Sequence, residues 1–350
     1  MSRRAYLDWL RGVAVLIMVE AHTIDSWTRL DDRSRSAYGW ALVVGGLGAP
    51  VFLFLAGLAL VLAIGSRISR GLGEADAVAR ARRRGWQIVG LAFLFRAQAI
   101  VVSGGSLQSM LKVDILNVMG VSMLAASVLW VIGRNARARS ILFASTTAAV
   151  AVATPLVRTT GLLGPLPDPV EWYIRPFPGR TTFALFPWMG FLLAGCAIGL
   201  WLDGARTPAE ERRVVTRLAV LGPAMATAAY AASFLPPIDP ALSVWASSPT
   251  FFVLRLGVVI ASLPLAYAWN SRRRGWSPLQ ELGLASLFVY WIHVELVYGS
   301  PSVAIHRRLT FAQALSAYAA FSVFLFGLVR LKNRALGPLS GALRERYSRG

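Results

Sequence analysis

The chain has 350 residues, of which 56% are hydrophobic and only 15% are charged, and it carries a net charge of +19. A soluble globular domain is about 45–50% apolar and about a quarter charged, so this composition argues against an ordinary soluble protein and indicates a chain partly surrounded by lipid. The basic charge does not indicate nucleic acid binding, because the arginines lie in short segments between apolar runs, as membrane topology requires.

Cysteine and histidine are too sparse for a disulfide framework or a metal site. The single cysteine, Cys196, lies in an apolar run, which excludes a disulfide within the chain and a cysteine-based metal site. His22, His293 and His306 are too scattered to show metal-ligand spacing. We therefore expect no metal and no bound cofactor.

Ten apolar windows are long enough for membrane helices, since a bilayer core needs roughly 20 mostly apolar residues. The first is not a cleavable signal, because Asp8 and Arg11 interrupt its apolar stretch, which continues past Val19. The third is shortened by Arg96. The windows cover residues 5–24, 40–65, 86–104, 113–133, 139–157, 181–203, 214–234, 250–269, 283–300 and 312–331. They predict an all-α fold, a polytopic transmembrane bundle of about ten helices that forms a single membrane domain over residues 1–350.

Basic residues orient these helices, because cytoplasmic loops retain Lys and Arg. The two termini and every second loop together hold 23 Lys and Arg, whereas the alternate segments hold nine. Both termini are therefore expected in the cytoplasm, which requires an even number of helices and favours ten over nine or eleven. The expected location is the cell (inner or cytoplasmic) membrane, which the chain crosses several times.

One outer segment is long. Residues 158–180 contain five prolines beside Trp172 and Tyr173. A rigid aromatic loop could cover an acceptor site or stack on a sugar ring. It could also lie at the membrane interface, where Trp and Tyr are common.

Ionisable side chains inside apolar windows cost about 2.5–3.5 kcal/mol each at the bilayer centre. Asp8 and Arg11 are three residues apart and can pair on one face of the first helix, or can reach the inner interface separately. His22 lies on the same stripe as Arg11, eleven residues on, whereas Glu20 lies nearly opposite. The other candidates are Arg96, Asp114, Arg255, His293 and Glu295. The two arginines among them are expected to complete ion pairs, and either could pair with Glu20.

Two histidines lie within apolar windows. His22, near the outer end of the first helix, can hydrogen-bond across helices or act as a general base. We interpret it as functional, because ionisable groups inside a membrane usually are. His293 lies about ten residues from the cytoplasmic end of its window, with Tyr290 one turn below it on the same face. For His293 the structural and the functional interpretation both stay open.

Residues 7–12 read LDWLRG, and His22 follows after nine further residues. This segment resembles the opening signature of membrane-bound acyltransferases, which the bacterial acyltransferase-3 group shares with the heparan-α-glucosaminide N-acetyltransferase-like group. Residues 48–57 (GAPVFLFLAG), residues 186–190 (FPWMG) and the segment from Tyr290 to His293 are similar to the second group. The chain is therefore identified as a member of the second group, within the wider transmembrane acyltransferase family.

The resemblance implies an acyltransferase that uses acetyl-CoA or another acyl-CoA from the cytoplasm. The acceptor would be a hydroxyl or amine of an envelope sugar or glycolipid at the outer face. An intramembrane histidine acts as base or transient acyl carrier, and by position this role falls on His22. Arg11 and the basic loops would suit the donor phosphates, since guanidinium pairs well with phosphate. The lysosomal member has its active histidine in the loop after the first helix, where this chain has none, so glucosamine is not implied as acceptor.

The predicted site can now be stated in full. His22 and His293 are the candidate catalytic residues. The candidates for substrate binding are Asp8, Arg11, Glu20, Asp114, Trp188 and Tyr290. The expected partners are acyl-CoA, a sugar or glycolipid acceptor and the bilayer, and a homodimer through apolar helices is compatible with the composition.

Two other functions compete with acyl transfer. A transporter or a lipid or glycan flippase would also use intramembrane ionisable residues, as relays and substrate paths. Many transporters show internal repeats and helices interrupted at matching positions, and neither is detectable in this sequence. A catalytically silent scaffold of cell-wall assembly is the third alternative.

Overall fold

The structure, a computed structural model, describes residues 4–104, 106–236, 248–273 and 275–348. The α-helices in these ranges are α1 (Ala5–Trp27), α2 (Ser36–Gly45), α3 (Gly48–Ile68), α4 (Glu74–Ser103), α5 (Ile115–Ile132), α6 (Ala136–Thr159), α7 (Asp168–Ile174), α8 (Leu185–Gly204), α9 (Pro208–Ala232), α10 (Pro249–Arg272), α11 (Pro278–Leu284), α12 (Ser286–Tyr298) and α13 (Phe311–Ser348). Short 3-10 helices and two isolated bridges complete the described secondary structure. The predicted all-α class is confirmed.

Eight helices in the described ranges are long and apolar enough to cross a membrane, with α2 and α3 taken together. The bent pair α11 and α12 makes a ninth if it counts as one span. The remaining predicted span is α1, which has 23 residues but carries the charges of Asp8, Arg11, Glu20 and Asp25. The polytopic helix bundle is confirmed, and α1 differs from the eight long spans because its charges are spread along the helix.

The helix that contains the third predicted window, residues 86–104, extends well beyond the start of the window. Helix α4 begins at Glu74 and runs for 30 residues, so its arginine-rich first half is helical as well. Arg96 does not shorten the helix, because its guanidinium donates to Asp114 Oδ2 at 2.9 Å. A charge that is paired inside the protein is compatible with a continuous membrane helix.

The ninth predicted window, residues 283–300, is not one straight helix. Helices α11 and α12 meet at Ala285 and are bent by 83°. No interrupted helix was detected in the sequence, and the structure contains one. The break has no proline, and only Gly283 and Ser286 mark it, which is a weak signal because such residues also occur in straight membrane helices.

The described chain divides into two compact units, each described here by itself. The terminal unit consists of residues 4–48 and 272–348, and the central unit consists of residues 49–271. The single membrane domain over residues 1–350 stays a prediction.

In the central unit, α3 and α8 meet at backbone distance. A Cβ atom on Gly57 would lie 1.9 Å from the carbonyl oxygen of Leu192, and one on Gly195 would lie 2.0 Å from that of Phe54. Small residues let membrane helices approach so closely. This packing gives a physical reason for the glycine that ends the sequence GAPVFLFLAG.

In the terminal unit, α1 packs equally tightly against α11. A Cβ atom on Gly12 would lie 1.9 Å from the carbonyl oxygen of Leu279, and one on Gly283 would lie 1.9 Å from that of Asp8. The glycine of LDWLRG is therefore needed for contact with the first half of the broken helix. Because α11 leads directly into α12, this contact also sets where α12 begins.

Asp32 joins the C-terminal end of α1 to the start of α13. Its Oδ2 accepts the N–H of Phe311 at 2.8 Å, and its Oδ1 accepts from Arg29 and Arg35, each at 3.1 Å. The Phe311 N–H and the guanidinium of Arg29 hold the pKa of the Asp32 carboxyl below its ordinary value. Beside it, Thr28 and Leu309 form a parallel bridge.

Candidate active site

The structure brings together the two histidines that the sequence analysis singled out. His22 on α1 and His293 on α12 are joined by a 2.8 Å hydrogen bond between His22 Nδ1 and His293 Nε2. The ring planes differ by 3° and the centroids are 5.0 Å apart. That separation is close to the hydrogen-bond length plus the radii of both rings, so the bond lies in the plane of both imidazoles.

The hydrogen bonds determine which nitrogens carry protons. His293 Nδ1 lies 2.8 Å from the carbonyl oxygen of Val289, which can only accept, so His293 Nδ1 donates. A neutral His293 then has its lone pair on Nε2, and His22 Nδ1 must donate to it. A neutral His22 is left with a lone pair on Nε2, which is what a general base requires.

The two histidines differ in exposure. His293 is completely buried, whereas His22 is partly exposed. Tyr290 lies against His293 at 5.9 Å between ring centroids, and Tyr298 meets His22 edge-on at 5.5 Å. The carboxylate of Asp25 lies near the hydroxyl of Tyr298. His22 is thus the member of the pair with exposed surface, and His293 lies in the interior.

Asp8 and Arg11 form the predicted pair on one face of α1. Arg11 Nη1 lies 3.2 Å from Asp8 Oδ1, and both side chains are largely buried. The pair borders the close contact of Gly12 with α11. Arg11 is about 16 Å from His22 along the helix axis, at 1.5 Å per residue. The face of α1 that carries Arg11 and His22 therefore has a cation near one end and an imidazole near the other.

Glu20 lies on the other side of α1 and is buried. Its Oε2 has no hydrogen-bond partner among the described residues, and a Cβ atom on Gly45 would lie 3.0 Å from that oxygen. Neither arginine proposed for it pairs with it in the described chain. Arg96 pairs with Asp114, and Arg255 lies 4.1 Å from the ring centroid of Phe251, in a cation–π contact rather than an ion pair.

Asp114 and Trp188 belong to the central unit. Asp114 begins α5 with a capping box: its Oδ1 accepts the N–H of Leu116 at 3.0 Å, and its own N–H donates to Asn117 Oδ1 at 3.1 Å. Trp188 packs against Phe183, with ring centroids 4.7 Å apart. These contacts are structural, and substrate binding by either residue stays a prediction.

The aromatic, proline-rich segment of residues 158–180 contains the short helix α7. Trp172 is buried against Val113 and Val118, so its ring is covered and is not open to stack on a sugar. The hydroxyl of Tyr173 accepts from Asn117 Nδ2 at 2.9 Å, and burial raises the pKa of this phenol. The segment is therefore packed against the start of α5.

A comparison with protein families decides the chemical class. Residues 3–230 match the family heparan-alpha-glucosaminide N-acetyltransferase, catalytic. The chain belongs to this family. It is thus a membrane acetyltransferase in general terms, as the resemblance predicted. No curated protein matches the chain. The match includes His22 and ends before His293, so the pairing of the two histidines rests on geometry alone.

Sequence reasoning missed parts of the site. Asp25 is three residues after His22 and so shares its face of α1, which is a signal that could have been used. Tyr298 carries no comparable signal, because its approach to His22 depends on the direction that α12 takes after the break. No cluster of three His, Cys, Asp or Glu able to hold a metal ion occurs within the described ranges.

Proposed function

We propose that the protein transfers an acyl group, above all acetyl, from acyl-CoA at the cytoplasmic side to a hydroxyl or amine of an envelope sugar or glycolipid at the outer face. The cell (cytoplasmic) membrane is its proposed location. The observation that carries the proposal is the hydrogen bond from His22 to His293, which leaves a lone pair on His22 Nε2. The family match supports acetyl transfer in general.

In the proposed reaction, His22 Nε2 takes the proton of the acceptor O–H or N–H. The acceptor oxygen or nitrogen attacks the thioester carbonyl carbon, a C–O or C–N bond forms, and the C–S bond breaks. His22 then gives the proton to the departing thiolate, so the products are the acylated acceptor and free CoA thiol. Alternatively, Nε2 attacks the thioester itself and carries the acyl group to the acceptor. Both routes need the same lone pair.

His293 is proposed as a positioning residue. Its Nε2 accepts a hydrogen bond from the N–H at Nδ1 of His22, which keeps Nε2 of His22 unprotonated and holds the ring in one orientation. Hydrogen-bond acceptors play this role for catalytic histidines in general. The bond from His293 Nδ1 to Val289 in turn fixes the tautomer of His293.

Arg11 is proposed to bind a phosphate of the donor. Guanidinium has five N–H donors, so an ion pair with Asp8 is compatible with a second anionic contact. Asp8 would then hold the guanidinium in one orientation. The basic loops predicted to be cytoplasmic would raise the local concentration of a polyanionic donor.

The experiment that tests the proposal measures transfer from labelled acetyl-CoA to an extract of envelope glycans and glycolipids. His22→Ala should reduce the rate by about 10²–10⁴-fold, the usual contribution of a general base. His306→Ala is the matched control, because His306 is an exposed histidine of the same unit that contacts Ser26 instead of the pair. Full activity of His22→Ala with normal expression would remove His22 from the mechanism.

Donor binding can be separated from chemistry by thermal unfolding in detergent. Acetyl-CoA at a hundred times its Kd should stabilise the protein by about 2.7 kcal/mol. The shift should disappear in Arg11→Ala and persist in His22→Ala. A shift that survives in Arg11→Ala would place the donor phosphates elsewhere.

A transporter or flippase is the second candidate, and the break between α11 and α12 favours it. Transporters commonly bind substrate where a membrane helix is interrupted. Under this alternative, purified protein in liposomes would move a labelled lipid or respond to a proton gradient, and acetyl-CoA would cause no thermal shift. Acetyl transfer by the purified protein, lost in His22→Ala, would decide against it.

A further inference from the structure

A cavity of about 470 Å³ opens between α6 and α8 in the central unit. It belongs to neither the histidine pair nor the Asp8–Arg11 pair, which lie in the terminal unit. The residues that line it are Ala136, Arg137, Ser140, Ile141, Leu200 and Trp201. One wall is therefore the first turn and a half of α6, and the other is the last turn of α8.

The lining is divided between polar and apolar groups. Trp201 Nε1 donates to Ser140 Oγ at 3.2 Å, which links the two helices across the cavity. Arg137 adds a cation on the α6 side. Ile141 and Leu200 supply apolar wall, and Ile141 remains 59% exposed, so hydrocarbon can reach it. A ligand that fits both parts has an anionic head and an apolar body.

The position in the membrane agrees with such a ligand. Helix α6 begins at Ala136 and α8 ends at Gly204, and both are long and apolar enough to span a bilayer. The cavity therefore lies at the end of two spans, beside the arginine-rich segments that the positive-inside rule assigns to the cytoplasm. Trp201 is 41% exposed there, and Trp is enriched where a membrane meets water.

The charge at the cavity is available for a ligand. Arg139, the neighbouring arginine, is already used: it pairs with Glu74, and its Nε donates to the carbonyl oxygens of Trp130 and Gly133. Arg137 makes no ion pair in the described part of the chain. It lies in the first turn of α6, where N–H groups without acceptors inside the helix add partial positive charge.

We propose that this cavity binds a phospholipid with an anionic headgroup. The phosphate would lie against Arg137 and the first turn of α6, since guanidinium and helix N-termini both bind phosphate well. The glycerol region would lie beside Ser140 and the indole of Trp201, and the acyl chains would follow Ile141 and Leu200 into the bilayer. A soluble phosphate would use only the polar half of this lining.

The test is native mass spectrometry of delipidated protein titrated with phosphatidylglycerol. The wild type should bind it at a site that phosphatidylcholine with the same chains does not occupy. Arg137→Gln should weaken that binding by roughly tenfold or more, as expected for the loss of hydrogen bonds to a charged group. Arg134→Gln is the matched control, because Arg134 is exposed in the same arginine-rich segment but does not line the cavity.

Two further measurements keep the assignment falsifiable. Phosphatidylglycerol with a photoactivatable acyl chain should crosslink within residues 136–141 or at Leu200 and Trp201, and labelling elsewhere overturns the site. Glycerol 1-phosphate at millimolar concentration should not displace the lipid, and displacement would reassign the cavity to soluble phosphates. Equal affinity of Arg137→Gln and wild type would refute the proposal. The site lies outside the proposed catalytic residues, so none of these outcomes depends on acyl transfer.

Discussion

Asp114 in the central unit and His22 in the terminal unit use their polar atoms in opposite ways. In the central unit, both carboxylate oxygens of Asp114 are occupied, one by the N–H of Leu116 and one by Arg96. In the terminal unit, the hydrogen bond between His22 and His293 leaves His22 Nε2 with its lone pair on a partly exposed ring. In the first arrangement each carboxylate oxygen has a hydrogen-bond partner, and in the second the hydrogen bond occupies one ring nitrogen and leaves the other as an unprotonated acceptor.

This difference distinguishes a structural role from a chemical role more clearly than burial or charge does. Asp114 and His22 were both selected because an ionisable side chain within an apolar window is costly and needs an explanation. For Asp114, the capping of α5 and the neutralisation of Arg96 supply that reason. For His22, the hydrogen bond accounts for one nitrogen only, and the other is placed to accept a proton.

The largest expected effect concerns the ion pair between Asp114 and Arg96. Asp114→Asn keeps a side chain that can cap α5 but leaves Arg96 without its anionic partner. Breaking a buried ion pair costs about 3–5 kcal/mol, and we expect about 3 because the Arg96 side chain is 19% exposed. Thermal unfolding in detergent measures this loss.

The control for this prediction is Arg35→Leu, which removes a largely exposed cation from Asp32. A surface pair contributes about 0–1 kcal/mol, so its Tm should change little. The double variant Arg96→Leu with Asp114→Asn should recover part of the lost stability. If Asp114→Asn unfolds at the wild-type temperature, the pair does not stabilise the central unit.

The second prediction compares one close glycine contact from each unit. Gly283→Ala places a Cβ atom 1.9 Å from the carbonyl oxygen of Asp8, and Gly195→Ala places one 2.0 Å from that of Phe54. Backbone must move in both cases, so each should lower the free energy of unfolding by about 1–3 kcal/mol. Only Gly283→Ala should also lower turnover in the folded fraction, because α11 leads into the helix that holds His293.

Gly327 and Gly90 provide matched controls, since an added Cβ at either meets nothing within 4 Å. Their alanine variants should be as stable as wild type or slightly more so, because alanine favours helix over glycine by about 1 kcal/mol. Equal turnover of folded Gly283→Ala and Gly195→Ala would break the proposed link between α11 and the histidine pair.

Much of the fold was predictable because length and hydropathy decide it. Each of the ten windows falls on helix, and the charges of α1 were visible in the sequence. The 83° break at Ala285 was not predictable, because no proline marks it and the contact of Gly283 with α1 is remote in sequence. Arg96 completes an ion pair, as expected, but its partner was not predicted, because Asp114 lies at the start of the next helix and sequence spacing does not show that pair.

The two histidines of the candidate site could be singled out from the sequence, but their hydrogen bond could not. His22 and His293 were each candidates because an imidazole in an apolar window is costly. Their hydrogen bond joins residues 271 positions apart and depends on how α12 follows the break. Tyr298 was missed for the same reason, because its contact with His22 also depends on the direction of α12. A sequence shows which side chains are energetically costly to bury, and only three-dimensional packing shows which of them are in contact.

The third prediction addresses the support that His293 gives to His22. His293→Ala should lower kcat by about tenfold with little change in KM, because His22 loses the acceptor that fixes its tautomer. His293→Gln should restore much of the rate, since Gln Oε1 can accept from His22 Nδ1. The pH profile of kcat should shift in the alanine variant, which a purely structural role would not cause. Identical rates for the two variants would leave His293 without a positioning role.

The smallest expected effect concerns Asp32, where the terminal unit contains a fully occupied carboxylate of its own. Its pKa is depressed in the folded protein, so its stabilising contribution is complete above the ordinary carboxyl pKa of about 3.9 and is lost as the pH falls through the lower folded value. Asp32→Asn should therefore lower Tm at neutral pH, and the gap to wild type should narrow as the pH falls below about 3.9. A gap that stays constant with pH would mean that hydrogen bonding to Phe311, and not the charge, holds the start of α13. Asp32 would then act as Asp114 does in capping α5, through hydrogen bonds to backbone N–H groups and not through its charge. The terminal unit would then differ from the central unit chiefly in the unprotonated Nε2 of His22.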